Sequence, residues 1–86
     1  MAVASVLIAE DETGIRLDLR GQLEDAGYEV CWEARDGEEA VELARTLQPD
    51  VVLLDVMMPG IDGIEAARRI TAERSVPIVL VTAFDD

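Results

Sequence analysis

The sequence predicts an α/β domain on a parallel β-sheet. Two observations predict it. Four strand-like runs, at 6–9, Glu29–Ala34, 51–54 and 76–81, alternate with three segments of helical periodicity ten to fourteen residues long, which is the spacing of βαβ units. The third run, Val51-Val52-Leu53-Leu54, is apolar without interruption, as strands covered on both faces by crossover helices are. The predicted organisation is therefore β-α-β-α-β-α-β over a single unit, residues 1–86.

Each element has a local reason. Val6-Leu7-Ile8-Ala9 ends in Glu10-Asp11-Glu12, after which Ile15, Leu19, Leu23 and Ala26 take helical spacing over 13–26. Gly27 stands where a helix C-terminal glycine belongs. The second strand, EVCWEA at 29–34, is moderately apolar and bounded by charge, which suits a sheet edge. Asp36-Gly37-Glu38-Glu39 has capping-box spacing, followed by a stripe of Ala40, Leu43, Ala44 and Leu47 that Pro49 stops. Asp62-Gly63-Ile64-Glu65 repeats the capping pattern before Ile64, Ala66, Ala67 and Ile70, and the helix ends near Arg74. Trp32, on the opposite strand face from Cys31, is expected to pack beneath a helix, and Cys31 to be an ordinary strand residue with no base beside it to lower its pKa.

Composition excludes several functions. The seven basic residues are all Arg, against 19 acids, for a net charge of -12, so direct nucleic-acid binding by this segment is not expected. The chain has no His and one Cys, which removes the commonest general base and any internal disulfide. No run approaches the roughly 18 apolar residues of a membrane span, and no basic-plus-apolar leader precedes the first strand. A cytoplasmic domain with no membrane association, whose chemistry rests on carboxylates and hydroxyls, is the expectation.

Those carboxylates sit at strand ends: Glu10 and Asp11 after the first run, Asp55 after the third, with Thr82 after the fourth. Open α/β sheets bind ligands at the carboxyl ends of strands, where the strand order reverses. Three acids converging there repel one another, and a hard divalent cation such as Mg2+ relieves the conflict with an oxygen-only ligand set. A carboxylate beside Mg2+ is also a competent phosphoryl acceptor. Either strand-end acid taken alone is better read as a loop or helix cap, as Asp36 and Asp62 are.

LIAEDE at 7–12, VVLLDVMMPGIDG at 51–63 and PIVLVTA at 77–83 resemble the receiver domains of bacterial two-component response regulators, in order and over nearly the whole chain. The resemblance implies a flavodoxin-like doubly wound sheet of strand order 2-1-3-4, lacking the family's final helix-strand-helix. It implies Asp55 as phosphoacceptor, charged by a sensor histidine kinase, and Mg2+ held by Glu10, Asp11, Asp55 and the Met57 backbone carbonyl. Thr82 would be the switch hydroxyl, with Pro59 and Gly60 shaping the acceptor loop. IRLDL at 15–19 and VTAFDD at 81–86 further resemble receivers joined to ANTAR-type antiterminator domains, so that the output would be transcriptional or antitermination.

The sequence departs from the family in having no Lys, where receivers carry one after the fifth strand. The alternative function is therefore a phosphorylation-deficient module acting by association alone. An enzyme reading, a Mg2+-dependent hydrolase with an aspartyl nucleophile, ranks below both: such enzymes place a second acid two residues on, where this chain has Met57. With three helices for four strands, one sheet face is expected to be under-covered, and the apolar Ile78–Val81 to drive self-association.

Overall fold

In the computed structural model, which describes residues 3–82, the elements follow in the order β1 (Ser5–Ala9), α1 (Thr13–Asp25), β2 (Glu29–Ala34), α2 (Gly37–Leu47), β3 (Val51–Asp55), α3 (Gly63–Glu73) and β4 (Ile78–Val81). All strand pairs are parallel, and the sheet order is β2-β1-β3-β4. The chain leaves β1 in one direction to build β2 and in the other to build β3. The order thus reverses between β1 and β3, which opens a crevice at their carboxyl ends.

Alternation along each strand divides the core in two. Leu7, Ala9, Val52 and Leu54 point to one face, where Ala40 and Ala44 of α2 and Ala66 and Ile70 of α3 meet them. Val6, Ile8 and Val30 point to the other face, covered by Leu19 and Leu23 of α1. Small alanines on α2 and α3 let both helices lie close to the sheet, and a fork from Arg45 to Glu73 (2.9 and 2.8 Å) ties the two together at the surface. Asp36 and Asp62 cap their helices as the spacing predicts, each accepting from the amide three residues on, Glu39 and Glu65, at 2.8 Å. Gln48 ends α2 in the left-handed region, with φ 48, and the buried Pro49 follows it.

Several expectations need correction. Leu47 and Ile64 are exposed rather than part of the buried stripes, because the half-buried Val41 and the buried Ala66 take the inward positions. β4 begins at Ile78, not at residue 76: Pro77 has no amide for the ladder and contributes its carbonyl to the Val52 N–H (3.0 Å), while Val76 is buried in the core from outside the strand. Ile15, Leu19 and Leu23 are only half-buried, and the one buried residue of α1 is Arg16.

Trp32 is 58% exposed and packs beneath no helix. A bulge explains it. The pairing passes from Val6↔Val30 directly to Leu7↔Trp32, so Cys31 is an extra residue. That residue breaks the alternation, returns Glu33 to the α1 side and leaves Trp32 turned out at the sheet edge. Cys31 itself is half-buried, donates to the Val6 carbonyl (3.4 Å), and burial pushes its thiol pKa up, as suits a structural residue. Among the described residues the expected under-covered face is present: α1 lies mainly over β1 and β2, leaving Val51 and Leu53 half-covered and Val79 exposed.

Candidate functional site

The crevice between β1 and β3 is where the acids meet. Glu10, Asp11 and Asp55 each present a carboxylate oxygen within 4.8 Å of the others. Glu10 and Asp55 are buried, and Asp11 faces solvent. β1 delivers the first pair, and β3, paired with β1 from Val6↔Val51 to Ala9↔Leu54, delivers Asp55 one residue beyond the register.

Glu10 is held on every side. Its N–H donates to the Ala34 carbonyl of β2 (3.0 Å), and its Oε2 accepts from the Glu12 amide (3.0 Å). Arg16 Nη1 donates to its carbonyl oxygen (2.9 Å). Burial, opposed by the Glu12 amide and reinforced by Asp11 and Asp55, raises the Glu10 pKa from 4.5 to about 7. Asp55 Oδ1 accepts from the Met57 amide (3.2 Å), which folds the chain sharply after β3.

The loop that follows is packed through glycine. A Cβ on Gly63 would lie 2.2 Å from the Asp55 carbonyl oxygen, and the Gly63 N–H donates to the Val56 carbonyl at 2.9 Å. Only a residue without a side chain lets α3 start that close to the acceptor strand. Pro59 and Gly60 are exposed in this loop, Gly60 with φ 77. The Met57 side chain is exposed. On the far side, the Val56 amide donates to the Val81 carbonyl (3.0 Å), so the exposed Thr82 leaves β4 beside the end of β3. Residues 83–86, which complete both the PIVLVTA and the VTAFDD stretches, lie outside the described residues.

Sequence reasoning missed Arg16 and the tight contact at Gly63. The signal for Arg16 was available: Arg16, Leu19, Arg20 and Leu23 stand at i, i+3, i+4 and i+7, so two arginines share the inward stripe of α1. Glu33 receives both, Arg16 Nε at 3.1 Å and Arg20 Nη1.

The donor set suits a hard cation. It is made of oxygen alone and carries excess negative charge, and the raised Glu10 pKa marks the conflict that Mg2+ would relieve. An acid-lined crevice at the switch point of a flavodoxin-like sheet defines the class: a parallel α/β domain that gathers three carboxylates at the carboxyl ends of its central strands. The chain belongs to the response regulator receiver domain family, whose model matches residues 6–86. Among its relatives, the transcriptional regulatory protein PdtaR of Mycobacterium tuberculosis (strain ATCC 25618 / H37Rv) is 57% identical over 92% of this chain and 38% of its own length. A protein-glutamate methylesterase/protein-glutamine glutaminase of Geobacter metallireducens is 47% identical over 93% of this chain and 23% of its own. The solved signal receiver domain of a modulated diguanylate cyclase from Desulfovibrio desulfuricans G20 superposes with a TM-score of 0.90 at 42% identity, over 99% of this chain and 68% of that one. The chain thus spans well under half the length of these two curated relatives, one named as a regulator of transcription and the other as an enzyme.

Proposed function

We propose that this chain is the phosphoacceptor of a two-component pathway, with Asp55 taking a phosphoryl group from a phosphohistidine on a sensor kinase. An Asp55 carboxylate oxygen forms the new P–O bond as the P–N bond of the donor breaks, and the imidazole nitrogen leaves with the electron pair. Glu10, Asp11, Asp55 and the Met57 carbonyl are the residues assigned to hold Mg2+, which when bound supplies neutralisation of the phosphoryl oxygens. The sharp turn at Met57 and the glycine contact at Gly63 hold Asp55 in place while the donor approaches. Thr82 is assigned as the hydroxyl that meets the phosphorylated aspartate, and the output is assigned to transcription or antitermination, in keeping with the name of the 57% identical relative.

The observation that carries this reading is the convergence of the three acids within 4.8 Å at the ends of β1 and β3. Incubation with a small-molecule phosphodonor and Mg2+, followed by intact mass measurement, is expected to add one phosphoryl group to the native chain and none to Asp55→Asn. Equal labelling of both overturns the assignment.

A second reading, association without phosphotransfer, is favoured by the exposed apolar Val79 and Leu80 on β4. A stable dimer in sedimentation, together with no Mg2+ uptake in calorimetry, would select it.

A further inference from the structure

We propose that Arg16 is the positioning residue of the acidic site, setting the direction of Glu10 and Asp11 through the peptide plane between them. Arg16 is the one buried cation of the described residues. Its guanidinium makes contacts on three sides: Nη1 to the Glu10 carbonyl oxygen at 2.9 Å, Nε to Glu33 Oε1 at 3.1 Å, and Nη2 to Thr13 Oγ1 at 3.4 Å.

The geometry closes a ring. The Glu10 N–H rests on Ala34 of β2 and the Glu10 carbonyl on Arg16. Arg16 rests on Glu33, the residue adjacent to Ala34. Because a peptide unit is planar, fixing the Glu10 carbonyl oxygen also fixes the Asp11 nitrogen and both flanking Cα atoms. The Cα–Cβ directions of the two acids are then set without Arg16 touching either carboxylate. A plain ion pair with Glu33 needs only the Arg16 charge. The ring needs the planar fork, which presents several donors at fixed angles as a Lys ammonium does not. The contact stands on the geometry alone, whereas its consequence for metal affinity rests on the function proposed above.

The test compares native chain, Arg16→Lys and Glu33→Gln, each first checked for fold by circular dichroism. Two readouts are taken: Mg2+ affinity by calorimetry, and hydrogen exchange of the Glu12 amide in metal-free protein by NMR. That amide donates to Glu10 Oε2 and so reports where the Glu10 side chain sits. Arg16→Lys is expected to weaken Mg2+ binding about 10- to 100-fold, the usual loss when the support of a metal ligand is removed, and to speed Glu12 exchange. Glu33→Gln, which leaves Arg16 in place but loosens its anchor, is expected to move both readouts the same way by less. A folded Arg16→Lys chain with native Mg2+ affinity and native Glu12 exchange overturns the proposal. If Arg16→Lys does not fold, an unchanged pair of readouts in Glu33→Gln overturns it instead. If the native chain takes up no Mg2+, the metal reading falls, and Glu12 exchange alone decides the positioning role.

Discussion

Removing the charge of Glu10 should stabilise the metal-free protein and flatten its response to pH. The folded state holds the Glu10 pKa near 7, against 4.5 when solvated. Between those values the folded chain keeps a proton that the unfolded chain has released, so stability falls as pH rises through this window and levels off above about 7. The full displacement corresponds to about 3 kcal/mol, and partial burial of Glu10 in the unfolded ensemble makes about 2 to 3 kcal/mol the working figure. Glu73, held below the usual carboxylate range by Arg45, acts in the opposite sense but below pH 4.5, outside the window. Urea denaturation followed by circular dichroism, from about pH 4 to 8, is expected to give equal stabilities for native and Glu10→Gln chains at the acid end. At the alkaline end the variant should be ahead by that 2 to 3 kcal/mol. Mg2+ at about a hundred times its Kd should restore about 2.7 kcal/mol to the native chain above pH 7 and much less to the variant. Parallel curves for the two chains across the whole range, without metal, would refute the claim that Glu10 is buried against its own charge.

The remaining predictions concern packing. Gly63→Ala puts a methyl group 2.2 Å from the Asp55 carbonyl oxygen; a loss of about 2 to 4 kcal/mol in urea midpoint analysis is expected, with phosphodonor labelling of Asp55 reduced in the folded fraction. Asp36→Ala and Asp62→Ala each remove one helix cap and should each cost about 1 kcal/mol, additively, because the caps serve separate helices. Val79→Asp with Leu80→Asp places charge on the two exposed apolar positions of β4, and sedimentation velocity is expected to show any self-association of the native chain reduced or lost.

The fold was legible because its signals are local. The runs at 6–9 and 51–54, the Asp36 and Asp62 caps and the Pro49 stop each depend on a few neighbouring residues, and each stands where the sequence puts it. The meeting of Glu10, Asp11 and Asp55 was legible at one remove, once strands β1 and β3 were taken as neighbours. What was hidden depends on long-range contact or on a broken repeat. The exposure of Trp32 follows from a one-residue bulge that shifts the partner register, and strict alternation places that side chain wrongly. Ile64 is apolar and correctly spaced, yet three of its neighbours on α3, Gly63, Ala66 and Ile70, already occupy the inward side.

Arg16 is the instructive failure, because it broke a local rule for a reason that only the assembled structure supplies. A cation on the inward stripe of α1 is unfavourable unless something buried needs it, and here three partners do: a strand-end carbonyl, the Glu33 carboxylate and a helix-start hydroxyl. The acids across the crevice break the rule in the opposite sense, since two of the three are buried although none is paired with a cation among the described residues. Metal-free fold stability alone would favour an amide at Glu10. On the function proposed above, the acids serve to meet a metal and a phosphoryl group, and the arginine serves to keep them aimed. Violations of sequence-level consistency gather where a protein does chemistry, and in this chain the buried charged residues, Glu10 and Arg16 between β1 and the first turn of α1 and Asp55 at the end of β3, gather at one end of the sheet.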